Sequence, residues 1–368
     1  MNKKKRNIFL IGIGIVIFLV IIGSIKFVGK KESKVEKIGV ILSGSIEEEG
    51  WNGMHYQGFK NSCEELGVEM HVKDNVKEFT GQCEKAIREL VAEGVSMIIL
   101  SSYGYSEEVF EIVKEYPEIV FYANSSEYHD KNLTSYFVRM YQARYLAGII
   151  AGMKTSNNNI GYVAAMENNE VNRGINAFTL GVKRVNPDAV VNVIWTGTWD
   201  NEELETKAAK TLIEEVGVDV ITYHQNQSYV ANEADRQGIY SIGYHILQEG
   251  LSSKYLTAVV CNWELLYREI MIQFLQGRGN LMTNYWLGLE ENVVGLDQYS
   301  DEVSDEIKRE IEEAKKEIID GKEVFSGIIY DNFGNKVCDE NEIIRDEILL
   351  EQFEWFVEGV KFYGEESY

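Results

Sequence analysis

From residue 37 onward the chain repeats one unit, a short aliphatic run followed by a longer stretch of helical period, and few architectures accept that order. Lys37-Ile38-Gly39-Val40-Ile41-Leu42 reads as a strand buried on both faces, and 50–66 reads as a helix. Strands at 68–72, 97–100 and 119–122 alternate with helices at 81–92 and 106–116. After 133–139 the alternation starts again. Strands at 159–164, 190–195, 218–222 and 240–243 are separated by helices at 142–154, 170–185, 203–216 and 226–237. A βαβ series of this kind predicts an α/β protein with mainly parallel sheets covered by helices on both faces. Leu204, Ala208 and Leu212 fall at i, i+4 and i+8, an apolar stripe for the helix before Val218. Gly148 and Gly152 stand four apart on the 142–154 helix, which outside a membrane points to close packing against a sheet.

The third section is shorter, with a strand at 256–260, a helix at 263–276, the run 285–296 and an acidic helix at 301–320. A hairpin around Asp331-Asn332-Phe333-Gly334 and an amphipathic helix at 346–363 complete the pattern. Two α/β lobes result, the first expected to comprise 35–138 plus 256–283 and the second 139–255 plus 284–368, with residues 1–34 set apart. In such sheets ligands lie beyond the carboxyl ends of the strands, so a cleft between the lobes is the expected site.

Residues 1–34 carry a different signal. Lys3-Lys4-Lys5-Arg6 precedes a run, 8–25, that is apolar apart from Gly and Ser, about the minimum length for a membrane-spanning helix. Positive charge before the run keeps the start cytoplasmic and exports the remainder of the chain. The bulky Ile25-Lys26-Phe27-Val28 is unlike a signal-peptidase site, so the expectation is an uncleaved single-pass anchor with the main domain extracytoplasmic. Subtracting 59 acidic from 36 basic residues leaves a net charge of −23, which repels a phosphate backbone, so nucleic acid is excluded as a partner. The acidic runs 47–49 and 301–317 read as solvated faces, since calcium loops alternate Asp or Asn around a glycine. Cys63, Cys83, Cys261 and Cys338 have no paired spacing and are expected as buried free thiols, with a Cys63–Cys83 pairing as the alternative in an exported domain.

Enzyme signatures are thin: GxSxG, HExxH, GxxxxGK[ST] and a strand-to-helix GxGxxG are all missing. Neither a catalytic residue, a cofactor nor a metal is predicted. What recurs after the strands is aromatic residues beside amides. Trp51 and Asn52 open the first helix, Tyr103 follows the third strand and Asn124 follows the fourth. Trp199 comes after the 190–195 strand, His224, Gln225 and Asn226 after 218–222, and Tyr244 after 240–243. Aromatic faces and amide edges are what a flat heterocycle needs for stacking and hydrogen bonding. Core packing explains any single ring equally well; the recurrence favours a binding site.

Several stretches resemble the basic membrane protein (BMP) family of ABC-transporter substrate-binding proteins, which take up nucleosides or purine bases. They are Tyr141-Gln142-Ala143-Arg144-Tyr145-Leu146-Ala147-Gly148, Val171-Asn172-Arg173-Gly174-Ile175-Asn176-Ala177-Phe178, Trp195-Thr196-Gly197-Thr198-Trp199, and Leu256-Thr257-Ala258-Val259-Val260-Cys261-Asn262-Trp263. The resemblance runs in order over about 37–334 and is closest to the subgroup thought to bind purines. It implies a two-lobed type I periplasmic-binding-protein fold crossed three times by the chain at a hinge, a purine-like ligand, an ABC permease partner and a monomer. It implies that Trp51 and Trp199 stack on the base, that Asn52, Tyr103, Asn124, His224, Gln225, Asn226 and Tyr244 surround it, and that Tyr141 stands at the hinge. Arg173, beside Glu167 and Glu170, reads equally as a structural ion pair and stays outside this set. Many family members carry an aspartate where this chain has Tyr244-His245, which favours a base over a nucleoside. The family's lipobox cysteine is also missing, leaving tethering to the anchor. The alternative is a membrane-tethered sensor of the same fold; nucleoside hydrolysis and carbohydrate binding are the further readings.

Overall fold

The computed structural model of the chain describes residues 35–48, 50–245, 250–277 and 284–364. The first section runs β1 (Lys37–Ile41), α1 (Trp51–Leu66), β2 (Glu69–Lys73), α2 (Gln82–Glu93), β3 (Met97–Leu100), α3 (Tyr105–Val109), β4 (Val120–Asn124) and β5 (Leu133–Val138). The second runs α4 (Met140–Lys154), β6 (Asn159–Ala164), α5 (Asn169–Val185), β7 (Val190–Trp195), α6 (Glu202–Thr211), β8 (Val220–His224), α7 (Tyr229–Gln237) and β9 (Tyr240–Tyr244). The third runs β10 (Tyr255–Cys261), α8 (Trp263–Leu275), β11 (Asn284–Leu287), β12 (Val294–Leu296), α9 (Asp305–Ile319), β13 (Ile329–Tyr330), β14 (Lys336–Cys338), α10 (Asp346–Glu351) and β15 (Val360–Phe362). The predicted membrane segment 8–25 lies outside the described residues, among which no helix is long and apolar enough to cross a membrane.

The strands form two main sheets. One has the order β11-β5-β4-β3-β1-β2 and is parallel throughout; the other has the order β12-β10-β9-β8-β6-β7-β15, with only β12 antiparallel. All four residues of β3 are buried, as a central parallel strand covered on both faces requires. Gly39 of β1 packs under Leu90 of α2, whose terminal methyl would sit 2.9 Å from a Cβ there and would have to shift to admit one. The result is an α/β, two-lobed, periplasmic-binding-protein-like architecture. Cys63, Cys83, Cys261 and Cys338 are buried free thiols.

The chain passes between the sheets three times, after β5, between β10 and α8, and between β11 and β12. Two exchange points differ from the sequence reading, which put 256–283 in the first lobe and everything from 284 in the second. β10 pairs with β9 and β12, so it belongs to the second sheet, while β11 pairs with β5 in the first. Only α8, packed on α1, joins the first lobe from that predicted segment. An aliphatic strand looks the same whichever sheet it completes, so its pattern carries no lobe address.

Three local readings are corrected as well. The predicted 106–116 helix breaks after Val109, resuming as a 3₁₀ turn at Ile112–Glu115. The predicted 346–363 helix stops at Glu351, and β15 then pairs in parallel with β7. Three asparagines of α5 hold the intervening segment extended: Asn169 Oδ1 accepts from Phe353 N, Asn172 Nδ2 donates to Phe353 O, and Asn176 brackets Trp355 O and Val357 N, at 2.6–3.0 Å. The α6 stripe is displaced by one residue, because Leu204 is 41% exposed whereas Glu205 is fully buried beside Ala208 and Leu212.

Burial pushes the Glu205 carboxyl from its ordinary 4.5 up to about 8, against the Asn201 backbone N–H that favours its charged form. The folded chain holds this proton to higher pH than the unfolded chain. Its contribution is therefore complete below about 4.5 and is lost as the pH rises through about 8. Urea midpoints measured at pH 5 and pH 8.5 are expected to fall with rising pH, and Glu205→Gln is expected to flatten that dependence. An equal fall in the variant contradicts the assignment.

Candidate functional site

A cavity of about 250 Å³ opens at the carboxyl ends of strands from both sheets. Ser43, Gly44 and Glu48 reach it from the segment after β1, Trp51 and Asn52 from the start of α1, Lys77 and Glu78 from beyond β2, Ser102 and Tyr103 from beyond β3, and Asn124 from the end of β4. The other sheet supplies Thr198, Trp199 and Asp200 after β7, His224 and Asn226 at and after β8, Tyr244 at the end of β9, and Glu170 from the first turn of α5. This is where open parallel sheets place their ligands.

The local sequence explains the walls. Gly44 and Gly53 let the 43–48 segment fold down on the first turn of α1: a Cβ on Gly53 would lie 1.7 Å from Glu48 O, and one on Gly44 2.1 Å from Glu48 Oε1. Glu48 is thereby fixed, accepting from Ser45 N at 2.8 Å and Asn52 Nδ2 at 2.7 Å. Trp51 Nε1 donates to Ser101 O at 3.0 Å, and its ring packs against His55 at 4.2 Å and edge-on against Trp263 at 5.3 Å. That makes Trp51 a held platform. On the opposite wall Gly197, with φ +71°, turns the chain, and Trp199 O accepts from Asn226 N at 2.9 Å.

Eight of the ten predicted residues line the cavity: Trp51, Asn52, Tyr103, Asn124, Trp199, His224, Asn226 and Tyr244. Gln225 does not; buried beneath, its Nε2 donates to Thr196 Oγ1 at 2.8 Å and props the 196–199 turn. Tyr141 lies at the crossover after β5, where its hydroxyl accepts from Arg139 Nη1 at 2.9 Å. Arg139 also donates its backbone N–H to Leu287 O at 2.7 Å and Nε to Trp286 O at 3.1 Å, so two of the three crossovers are tied together.

Arg173 stands away from the cavity lining. Its guanidinium donates to the Leu349 and Asn169 carbonyls, and burial holds it down at about 10. Glu170 turns to His224 instead, 3.5 Å from Nε2. Burial pulls His224 down to about 4 despite that carboxylate, so at neutral pH the ring is uncharged, with its Nε2–H facing Glu170. The Tyr244 hydroxyl is buried with no partner among the described residues, while the Asn124 amide faces the Tyr136 hydroxyl. His245, in the left-handed region at φ 60°, packs edge-on 5.3 Å from Trp51.

The sequence reading missed the carboxylates. Glu48, Glu78, Glu170 and Asp200 line the cavity, although 47–49 was read as a solvated run. Asp200 directly follows Trp199, so the post-strand rule reached its neighbour and passed over it by looking only for rings and amides. Among the described residues no group of three or more His, Cys, Asp and Glu is placed to hold a metal ion.

Ser125 Oγ, beyond β4, donates to Glu170 Oε2 at 3.3 Å, and Asn169 Nδ2 donates to Glu127 Oε1 at 3.1 Å, so the two lobes touch at the rim. Residues 35–326 match the Bmp family, described as ABC transporter substrate-binding protein PnrA-like. A purine-binding protein of Brucella abortus is 31% identical over 328 residues, 88% of this chain and 92% of that relative. A putative ABC transporter glucose-binding protein of Haloferax volcanii is 28% identical, covering 90% of this chain and 82% of its own. Among solved structures, a transcriptional activator of the comK gene from Bacillus halodurans has a similar fold, with TM-score 0.68 and 24% identity over 77% of this chain and 98% of that one.

Proposed function

The chain belongs to the Bmp family of PnrA-like ABC-transporter substrate-binding proteins, and from that premise we propose that its inter-lobe cavity captures a purine base or nucleoside and closes over it by hinge motion. The family places it outside the cytoplasm, with a small-molecule ligand and a membrane permease as partner; it is not an enzyme family. The observation that carries the purine reading is the pairing of Trp51 from one lobe with Trp199 from the other in a cavity edged by amides. The purine-binding relative supports it.

In this reading the two indoles sandwich the base, Asn124 and Asn226 meet its polar edge, and Tyr103, Asn52, His224 and Tyr244 complete the enclosure. Gln225 acts indirectly through the Trp199 turn, and Tyr141 through the hinge. Segment 8–25 anchors the chain uncleaved, and the binding unit works as a monomer. A second reading is a sugar, favoured by four cleft carboxylates beside aromatic rings and by the glucose-binding relative.

Thermal-shift screening of the compact unit Lys37–Tyr368 against purine bases, nucleosides and glucose separates them. A ligand at a hundred times its Kd adds about 2.7 kcal/mol to stability, so a purine is expected to raise the melting temperature and glucose to leave it unchanged. The reverse pattern selects the sugar.

A further inference from the structure

Glu48 and Asp200 enter the same cavity from different lobes, Glu48 from the segment after β1 and Asp200 from the segment after β7. Among the described residues that line the cavity, Lys77 is the only lysine or arginine, set against Glu48, Glu78, Glu170 and Asp200. His224 is uncharged at neutral pH. The lining therefore carries net negative charge, offset in part by the buried Arg144 guanidinium 4.1 Å behind the Tyr244 ring, and part of the negative charge is divided between two bodies that approach each other on closing in the proposed reading.

We propose that Glu48 and Asp200 act as a charge gate: their repulsion holds the ligand-free lobes apart, and a ligand that places N–H donors or positive charge between them releases the gate. The proposal rests on the purine reading and narrows it to amine-bearing heterocycles, against oxo-substituted or anionic ones. A second feature independently marks this cavity as a ligand face. Tyr244, 2% exposed, lines it with a hydroxyl that has no protein partner among the described residues. A buried polar group left unpaired is costly, so this hydroxyl awaits a bound molecule or water.

The charges around the gate act mostly, not wholly, in one direction. Asp200 is pushed above the usual carboxylate range, first by burial and then by Glu48, while Lys77 opposes the rise. Glu48 spends two acceptor sites on Ser45 N and Asn52 Nδ2, and an ionised carboxylate has about four. Glu78 accepts from Gly104 N. Glu205 and Tyr229 also feel Asp200, Glu205 from within α6 and Tyr229 from the start of α7. Phosphorylated nucleotides are excluded by the same field.

The test compares the full-length protein with its Glu48→Gln/Asp200→Asn double variant in two measurements. The first is the affinity for 2,6-diaminopurine and for xanthine at pH 6.5, a pair differing in amine against oxo groups. The second is acrylamide quenching of tryptophan fluorescence without ligand, taken as the difference from the same two proteins carrying Trp51→Phe/Trp199→Phe, because four of the six tryptophans lie outside the cavity lining. The expected wild-type preference for the diamine is about tenfold, the size of one charge-assisted hydrogen bond, falling below about threefold in the variant. Quenching is expected to be weaker in the variant at low salt, and the difference to fade where the Debye length shrinks below about 8 Å. Purine binding without an amine preference, or with one that survives in the variant, overturns the gate and leaves the purine reading standing. No purine binding together with reduced, salt-sensitive quenching keeps the gate and removes the purine. Unchanged quenching overturns the gate whatever binds.

Discussion

Replacing both Trp51 and Trp199 with alanine is expected to weaken purine binding by two to three orders of magnitude. Stacking a base on one aromatic ring is worth about 1–3 kcal/mol, and the cavity presents one indole from each lobe. Removing both takes away about 3–4 kcal/mol, inside the range that two such contacts span, since every 1.4 kcal/mol is a tenfold change in Kd. The two single variants are expected to differ in stability. Trp51 packs on His55 and Trp263, so its removal also loosens the α1–α8 contact, whereas Trp199, equally half-buried but in a turn, has His224 at 6.0 Å as its ring neighbour among the described residues. Phenylalanine at either position keeps a stacking face and is expected to retain most of the affinity. Calorimetry on the four variants, with melting curves to confirm folding, checks this. Undiminished affinity in the double alanine variant removes both rings from the site.

The second large effect is on the fold. Gly148→Ala is expected to destabilise the protein by about 3 kcal/mol, toward the upper end of overpacking costs. A Cβ at Gly148 would stand 2.0 Å from Phe178 O, and one at Gly181 would stand 2.0 Å from Tyr145 O. Backbone meets backbone where α4 crosses α5, and no side-chain rotation relieves the clash. Because α5 begins at Asn169 and carries Glu170 into the cavity, the same substitution is expected to weaken ligand binding. Gly295→Ala, with open space where its Cβ would go, serves as the control. Urea midpoints measure the difference, and equal midpoints for the two variants contradict the helix-crossing account.

Both effects depend on features only partly legible in the sequence. The strands were legible because buried parallel strands are short, aliphatic and punctuated. β6 and β7 begin and end where the residue pattern says, 159–164 and 190–195. The Gly148/Gly152 spacing announced a close approach but not the partner, which is a helix and not a sheet, because a glycine pair fixes how near something comes and not what comes. The tail was illegible for a different reason. Its helical period from 346 onward is overridden by Asn169, Asn172 and Asn176, about 180 positions earlier, and by the open edge of β7.

The site divides in the same way. Residues directly at strand ends, such as Asn124, His224 and Tyr244, could be picked out because topology puts strand ends at the cleft. Glu48 faces inward only because Gly44 and Gly53 allow its loop to collapse on α1, a contact that composition cannot announce. Gln225 shows the opposite error: a post-strand amide beside two lining residues that faces the interior and supports a turn.

The central claim is that the inter-lobe cavity holds a purine, and isothermal titration tests it most directly. The compact unit from Lys37 onward is unfolded and refolded to strip any carried-over ligand, then titrated with adenine, guanine, hypoxanthine, adenosine and inosine. Saturable one-to-one binding of a base, with weaker or no binding of its nucleoside, is the predicted result. Silence with every purine and nucleoside, from a protein that melts cooperatively, contradicts it.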